Sequence, residues 1–242
     1  MLVKGFLFYI LLVVLGDVHA QIEPLYYGSG LCDAPGFHCV KVLGGQSWNS
    51  LFPDEYQRDL VQRINRTYNP LYAGKTLAVP NQIQQAQFLD FAPFEQKLPL
   101  KEKQIIVDQN KLAFGAFNDS GQLVYWGPIA SGTDKCSDNH QKSCLTKTGV
   151  FRFFNKEDQR CRSGVYPLET GGGAKMYWCM FFHKGFALHG STDIPGRRAS
   201  HGCVRLFTRD AKWLNQNFVE ISSDRNQQMG TLIVVKPVRK EQ

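Results

Sequence analysis

The sequence predicts a mainly β domain with one long helix, preceded by a small α+β unit in the order βααβ. Three observations carry this. From Lys101 onward, seven short runs are rich in branched and aromatic residues and are separated by turn residues. Only "TRDAKWLNQNFVEIS" in that region has helical spacing. Residues 37–80 read as strand, helix, helix, strand.

The elements follow in order. "FHCVKVLGG" is a strand and turn. "SWNSLF" and "DEYQRDLVQRIN" are short helices, the second with Leu60, Val61 and Ile64 on one face. "NPLYAGKTLAVP" is a turn and a strand that stops at Pro80. Residues 81–100 are polar, with prolines at 93 and 99, and read as a linker. "KQIIVDQN", "KLAFGAFN" and "QLVYWGPIAS" are strands, with a hairpin turn at Asn118–Gly121. "TGVFRFFN", "MYWCMFFH" and "GFALHG" continue the sheet, and "TLIVVKP" closes it. In the helix, Thr208 is placed to cap, and Ala211, Leu214 and Phe218 line one face.

The first twenty residues read as a secretory signal peptide. Lys4 is the positive start, Gly5 to Leu15 the apolar run, and Val18-His19-Ala20 the cleavage point before Gln21. The run is short of the ~20 residues a spanning helix needs, although an uncleaved anchor is the alternative. The expected location is periplasmic or secreted to the cell envelope. Net charge is +7, and the segment's Lys4 and Asp17 cancel, so cleavage leaves it unchanged. A basic exported protein is drawn to acidic polymers. No basic stripe interleaved with aromatics supports nucleic acid as the partner.

Seven cysteines in an exported chain point to disulfides. Cys32 with Cys39, and Cys136 with Cys144, would close short polar loops. Cys161 and Cys179 are left to each other, or stay as buried thiols. No spacing matches a zinc site, so no metal is expected. Cys203 is left over, in "HGCVRL", with His201 and His189 nearby. A neighbouring imidazole lowers a thiol's pKa towards neutrality, so Cys203 reads as an acyl-transfer nucleophile.

Two resemblances add to this. Residues 37–80, ending in "LYAGKTLAVP", resemble a LysM module, a small glycan-binding repeat; a packing subdomain that binds nothing is the alternative. "HG" at 189–190 and "ASHGCVRL" at 199–206 resemble the signature of the L,D-transpeptidase (YkuD) catalytic domain. "IIVDQNKLAFGAFNDSGQLVYWGPIASG", "TKTGVFRF" and "MYWCMFF" resemble that family's upstream segments, so the likeness covers residues 101–236. It implies a β-sandwich catalytic domain acting on peptidoglycan without a cofactor. Cys203 would attack the carbonyl between a diamino acid and the terminal D-Ala of a tetrapeptide stem. An amine would then resolve the thioester, giving a 3→3 crosslink. Water as acceptor would give carboxypeptidase or other peptidase action, and an envelope lipoprotein would give anchoring. A non-catalytic wall-binding protein is a further alternative.

The resemblance also assigns roles. His189 is the base, oriented by the Gly190 carbonyl. His201, Gly202 and Cys203 present backbone N–H groups for an oxyanion hole, with Gly202 at a positive φ. Arg205, Ser200 and Tyr177 are candidate substrate contacts. Alternatives stand beside these: His201 as base, Arg205 as a structural ion pair, Tyr177 and Trp178 as core. His38, His140 and His183 read as surface or structural residues. Arg197 and Arg198 in "DIPGRR" are either a solvated loop or an attraction for acidic stems. Ten residues separate His189 from Ser200, a short loop for this family.

Overall fold

The computed structural model describes residues 27–134, 136, 143–223 and 229–239. The signal-peptide reading and His140 lie outside these residues. Among them, no helix is long and apolar enough to cross a membrane.

The N-terminal unit has the expected order. β1 (Phe37–Lys41) pairs antiparallel with β2 (Thr76–Pro80), and α1 (Trp48–Leu51) and α2 (Glu55–Ile64) lie between them in the chain. Asp54 caps α2 by accepting the Gln57 N–H at 2.8 Å. Leu60, Val61 and Ile64 are all buried, as their spacing predicts. The bridge from Cys32 to Cys39 ties the entry of this small unit.

The rest of the chain builds one curled ladder of nine strands. They are β3 (Gln104–Asp108), β4 (Ala113–Phe117), β5 (Leu123–Ala130), β6 (Gly149–Arg152), β7 (Asn155–Lys156), β8 (Tyr177–His183), β9 (Phe186–Gly190), β10 (Val204–Leu206) and β11 (Leu232–Lys236). Their order is β6-β11-β3-β4-β5-β10-β9-β8-β7. All nine belong to a single hydrogen-bonded ladder. The two outermost strands are consecutive in sequence. β6 pairs with β11 and β7 with β8, so the run from Gly149 to Lys156 joins both ends of the ladder. Phe153 on this run is fully buried. Phe151 packs on Phe182 of β8 with ring centroids 5.5 Å apart. The core inside the curl includes Ile105, Phe114, Ile129, Leu188, Val204 and Leu206.

Two expectations need correction. The long helix is α3 (Thr208–Trp213), which passes into a π-helical turn at Leu214–Phe218 and stops at Val219. Lys156 Nζ donates to the carbonyls of Asn215 (2.7 Å) and Val219 (2.8 Å), so the last turn finds its partners outside the helix. Thr208 is the first helical residue and not the cap; Phe207 holds that place and makes no side-chain cap bond.

The segment 81–100 connects the two units and is also packed against the sheet. Phe88 lies 5.2 Å from the Tyr125 ring and 5.7 Å from Trp126, and its carbonyl accepts the Trp126 Nε1–H at 2.7 Å. Leu98 N–H donates to Gly121 O at 2.9 Å. Gly121 has φ +77°, and a Cβ there would lie 1.9 Å from Leu98 O, so only glycine admits this approach.

The units share a buried ion pair. Arg63 of α2 is bidentate to Asp210 of α3, at 2.6 and 2.9 Å, and also donates to Trp126 O at 3.0 Å. Asp210 is fully buried. Sequence patterning named neither, because no local period links two residues 147 positions apart.

Candidate active site

The site is built where β9 and β10 run parallel. Arg205 lies opposite His189, and Val204 opposite Leu188. Side chains alternate along a strand, so Leu188, Val204 and Leu206 enter the core while His189, Arg205 and Cys203 share the other face. The loop from Ser191 to Cys203 must double back to rejoin the sheet at the level of Leu188. That return brings Cys203 beside the start of β9. Its Sγ lies 3.6 Å from Gly185 O and receives the Ala187 backbone N–H. It is the free cysteine among the described residues; Cys32–Cys39, Cys136–Cys144 and Cys161–Cys179 are bridged.

His189 is buried, with Nδ1 3.0 Å from Gly190 O. A carbonyl only accepts, so Nδ1 carries the hydrogen and the neutral ring keeps its lone pair on Nε2. That is the tautomer a general base needs. Gly190 is required for a second reason. A Cβ there would sit 2.9 Å from Thr208 Cα, where α3 begins. Burial pulls the His189 pKa down to about 4, helped by the charge of Arg205 and opposed by the Gly190 carbonyl.

The thiol departs from the sequence expectation. Its pKa is pushed up, not down. The cause is burial against Cys161, Met176, Cys179, Ala187 and Phe181, only partly offset by the Ala187 N–H and by Arg205. Burial thus disfavours the charged form of both groups, the thiolate of Cys203 and the imidazolium of His189.

Both residues line one cavity of about 580 Å³. Ser191, Asp193, Ser200, His201 and Arg205 also line it, as do both ends, residues 162–166 and 174–176, of a strap between β7 and β8. His201 stacks on Tyr166 of this strap, with centroids 4.7 Å apart. That contact suits a wall better than a base. Sequence reasoning missed Tyr166, Met176 and Phe186, all in the lining. The one signal was the glycine run Gly171-Gly172-Gly173, which marks a loop beside the chemistry. Tyr177 does not line the cavity; it lies opposite Gly190 in the ladder. Trp178 packs on the core with φ +57°.

Around Cys203 the turn is held from within. Gly202 has φ +120°, as anticipated. Its N–H donates to Ser200 Oγ at 3.1 Å, and Ser200 Oγ donates to Cys203 O. Ser200 is thereby occupied in shaping the loop, and the Gly202 donor is turned away from the oxyanion set the sequence suggested. Arg205 pairs with Asp193 at 2.6 Å and also lines the cavity.

The N-terminal unit reaches this loop directly. Asn69 Nδ2 donates to Asp193 Oδ1 and Asn69 Oδ1 accepts the Ile194 N–H, both at 2.8 Å. Tyr68 OH donates to Ser191 O. Asn69, Asp193 and Arg205 thus form a chain from the small unit to the strand pair that carries His189. Among the described residues, one group of possible metal ligands converges, Glu157 with Cys161 and Cys179. Its two sulfurs are bonded to each other and offer no thiolate.

The chain is similar to known proteins. YciB of Bacillus subtilis (strain 168), which its name assigns to the L,D-transpeptidases, is 28% identical over 135 residues. The match takes in 50% of this chain and 64% of YciB, so the chain spans less than two thirds of that relative. A crystal structure of the L,D-transpeptidase from Xylanimonas cellulosilytica is 25% identical, with TM-score 0.49, covering 69% of this chain and 74% of that one. An L,D-transpeptidase from Mycobacterium smegmatis is 21% identical, with TM-score 0.41, covering 56% and 59%. Residues 102–235 match the family model for the L,D-transpeptidase catalytic domain, and the chain belongs to this YkuD family.

Proposed function

We propose that this protein is an exported peptidoglycan L,D-transpeptidase with Cys203 as nucleophile. The observation that carries the reading is that His189 and Cys203 line one cavity. His189 is fixed by Gly190 O with its basic nitrogen free of that bond, and Cys203 lies on the same sheet face.

The first step follows from the protonation states. As Cys203 Sγ attacks the carbonyl between the diamino acid and the terminal D-Ala, its proton passes to His189 Nε2. Backbone N–H groups at His201 and Cys203 are the candidates to hold the oxyanion. Collapse breaks the C–N bond, and His189 returns the proton to the departing D-Ala amine. A thioester on Cys203 remains. An amine from a second stem, or from an envelope lipoprotein, then displaces the sulfur. Water in its place would make the protein a carboxypeptidase. No step calls for a metal or cofactor.

Residues 37–80 act in this reading as a LysM-like module that contacts glycan, supported by their βααβ order. Residues 101–236 are the catalytic domain, and residues 1–20 direct export.

The test is incubation of the protein with tetrapeptide muropeptides, followed by mass analysis. Dimers lacking one D-Ala, and a thioester adduct absent from Cys203→Ala, are expected. Absence of both D-Ala release and adduct would overturn the reading. The ratio of dimer to tripeptide separates transfer from hydrolysis.

A further inference from the structure

A second concavity, of about 970 Å³, lies on the other side of the loop between His189 and Cys203. The two cavities share one wall residue, Phe186. The Phe186 ring packs directly under the turn at Gly202, where an added Cβ would meet it at 2.9 Å. The second cavity is thus one aromatic ring away from the nucleophile's turn.

Its lining is strongly basic. Among the described residues that line it, Lys147, Arg197, Arg198 and Arg239 stand with one carboxylate, Asp134. Arg198 is bidentate to Asp134, at 2.7 and 2.8 Å, and is neutralised by it. Lys147, Arg197 and Arg239 are exposed, and none of them forms an ion pair among the described residues. Three like charges around one concavity repel each other, and an anion would relieve that.

The walls are held by backbone contacts. Arg239 N–H donates to Asn110 Oδ1 at 2.9 Å, and Asn110 Nδ2 donates to Pro237 O at 3.1 Å. Gly132 N–H donates to Thr146 Oγ1 at 2.8 Å, next to Lys147. Gly196 O accepts the Tyr27 N–H at 3.4 Å, next to Arg197. The cationic side chains therefore project from fixed points.

We infer that this basic cavity is the acceptor subsite, and that it takes the free carboxylate of an acidic stem peptide whose amine resolves the thioester. The inference rests on the function proposed above. In the step it serves, the acceptor nitrogen forms a C–N bond to the acyl carbon and the C–S bond breaks. The amine's proton passes through His189 to the Cys203 sulfur, so charge and atoms balance. A guanidinium pair on the far side of the loop would hold the acceptor without touching the donor. Arginine suits this task because its planar fork meets a carboxylate bidentately.

The experiment separates the two half-reactions in the full chain. Thioester formation is followed by release of D-Ala from a donor tetrapeptide. Transfer is followed with an acceptor stem carrying a free carboxylate, and with the same stem amidated there. Arg197→Ala/Arg239→Ala should raise the acceptor KM at least tenfold and leave D-Ala release within twofold. The amidated acceptor should serve the unaltered protein as poorly as the free acid serves the variant. Arg197→Lys should recover part of the loss. Unchanged transfer in the double variant, or equal use of both acceptors, would overturn the inference. So would a parallel fall in D-Ala release, which would place these arginines on the donor path. If the unaltered protein forms no thioester, the proposed function fails instead. The cavity is then judged by binding of the free-acid stem to Cys203→Ala. Salt-sensitive binding that is lost in Arg197→Ala/Arg239→Ala supports it, and binding equal to that of the amidated stem sinks it.

Discussion

Removing Arg63 should unfold the link between the small unit and the sheet. In Arg63→Ala, the fully buried Asp210 carboxylate loses two guanidinium hydrogen bonds, at 2.6 and 2.9 Å. Trp126 O loses its 3.0 Å donor, and the Phe88 and Tyr125 rings lose the cation 5.0 and 5.4 Å from their centroids. Stranding one partner of a buried pair costs about 3–5 kcal/mol. The lost carbonyl partner overlaps with that figure and does not add in full. At roughly 2–4 °C per kcal/mol for a chain of this size, the melting temperature should fall by roughly 6–20 °C. The double variant Arg63→Met/Asp210→Leu removes both charges and keeps volume, so it should be more stable than Arg63→Ala alone. Thermal unfolding by near-ultraviolet circular dichroism, with urea titration at 25 °C, measures all three proteins. A loss below about 1 kcal/mol in Arg63→Ala would refute the reasoning, because exposed pairs have that magnitude. So would a double variant no better than the single one.

His189 gives a pH-dependent prediction. Its pKa is about 4 in the fold against 6.5 for the free side chain, so the unfolded chain binds more protons between those values. Stability should therefore fall as pH drops from 6.5 to 4, by up to about 3 kcal/mol, and level off below. Urea unfolding at pH 7, 5 and 4 should show this slope, and His189→Gln should flatten it. The same variant should slow acylation of Cys203 by about 10²–10⁴-fold, as loss of a general base does. In Asn69→Ala, Asp193 and Ile194 lose their ties to the small unit, at a cost of about 1–2 kcal/mol. Donor-side kcat/KM should fall roughly tenfold as the loop shifts, which acylation kinetics at saturating and limiting donor would detect.

Much of this molecule is written in local pattern. The strand runs, the hairpin at Asn118–Gly121 and the βααβ order are set by period, turn residues and caps, which act over a few positions. The cysteine pairs at 32–39 and 136–144 are legible for the same reason, since short loops close at little entropic cost. The motif around Cys203 singled out the candidate nucleophile, and the strand before it the candidate base His189 with Gly190. The polar run at 81–100 misled because its hydrophobes are spaced without period. Phe88 and Phe94 each find a separate aromatic partner on the sheet, Trp126 and Phe117.

What tertiary structure decided is which groups face each other and how dry they are. The pairing of Gly149–Lys156 with both ends of the ladder involves residues far apart in the chain. So does Arg63 with Asp210, separated by 147 positions. No local period encodes such contacts. The direction of the Cys203 shift belongs here too. From sequence, a nearby histidine argues for a lowered thiol pKa. In the fold the thiol's pKa is raised, because burial against Cys161, Met176 and Cys179 penalises the thiolate more than the Ala187 N–H and the Arg205 charge stabilise it. The sequence by itself determined the chemical groups and their order on two strands. The fold determined their burial, their tether through Asn69 to the small unit, and the basic cavity beyond Phe186.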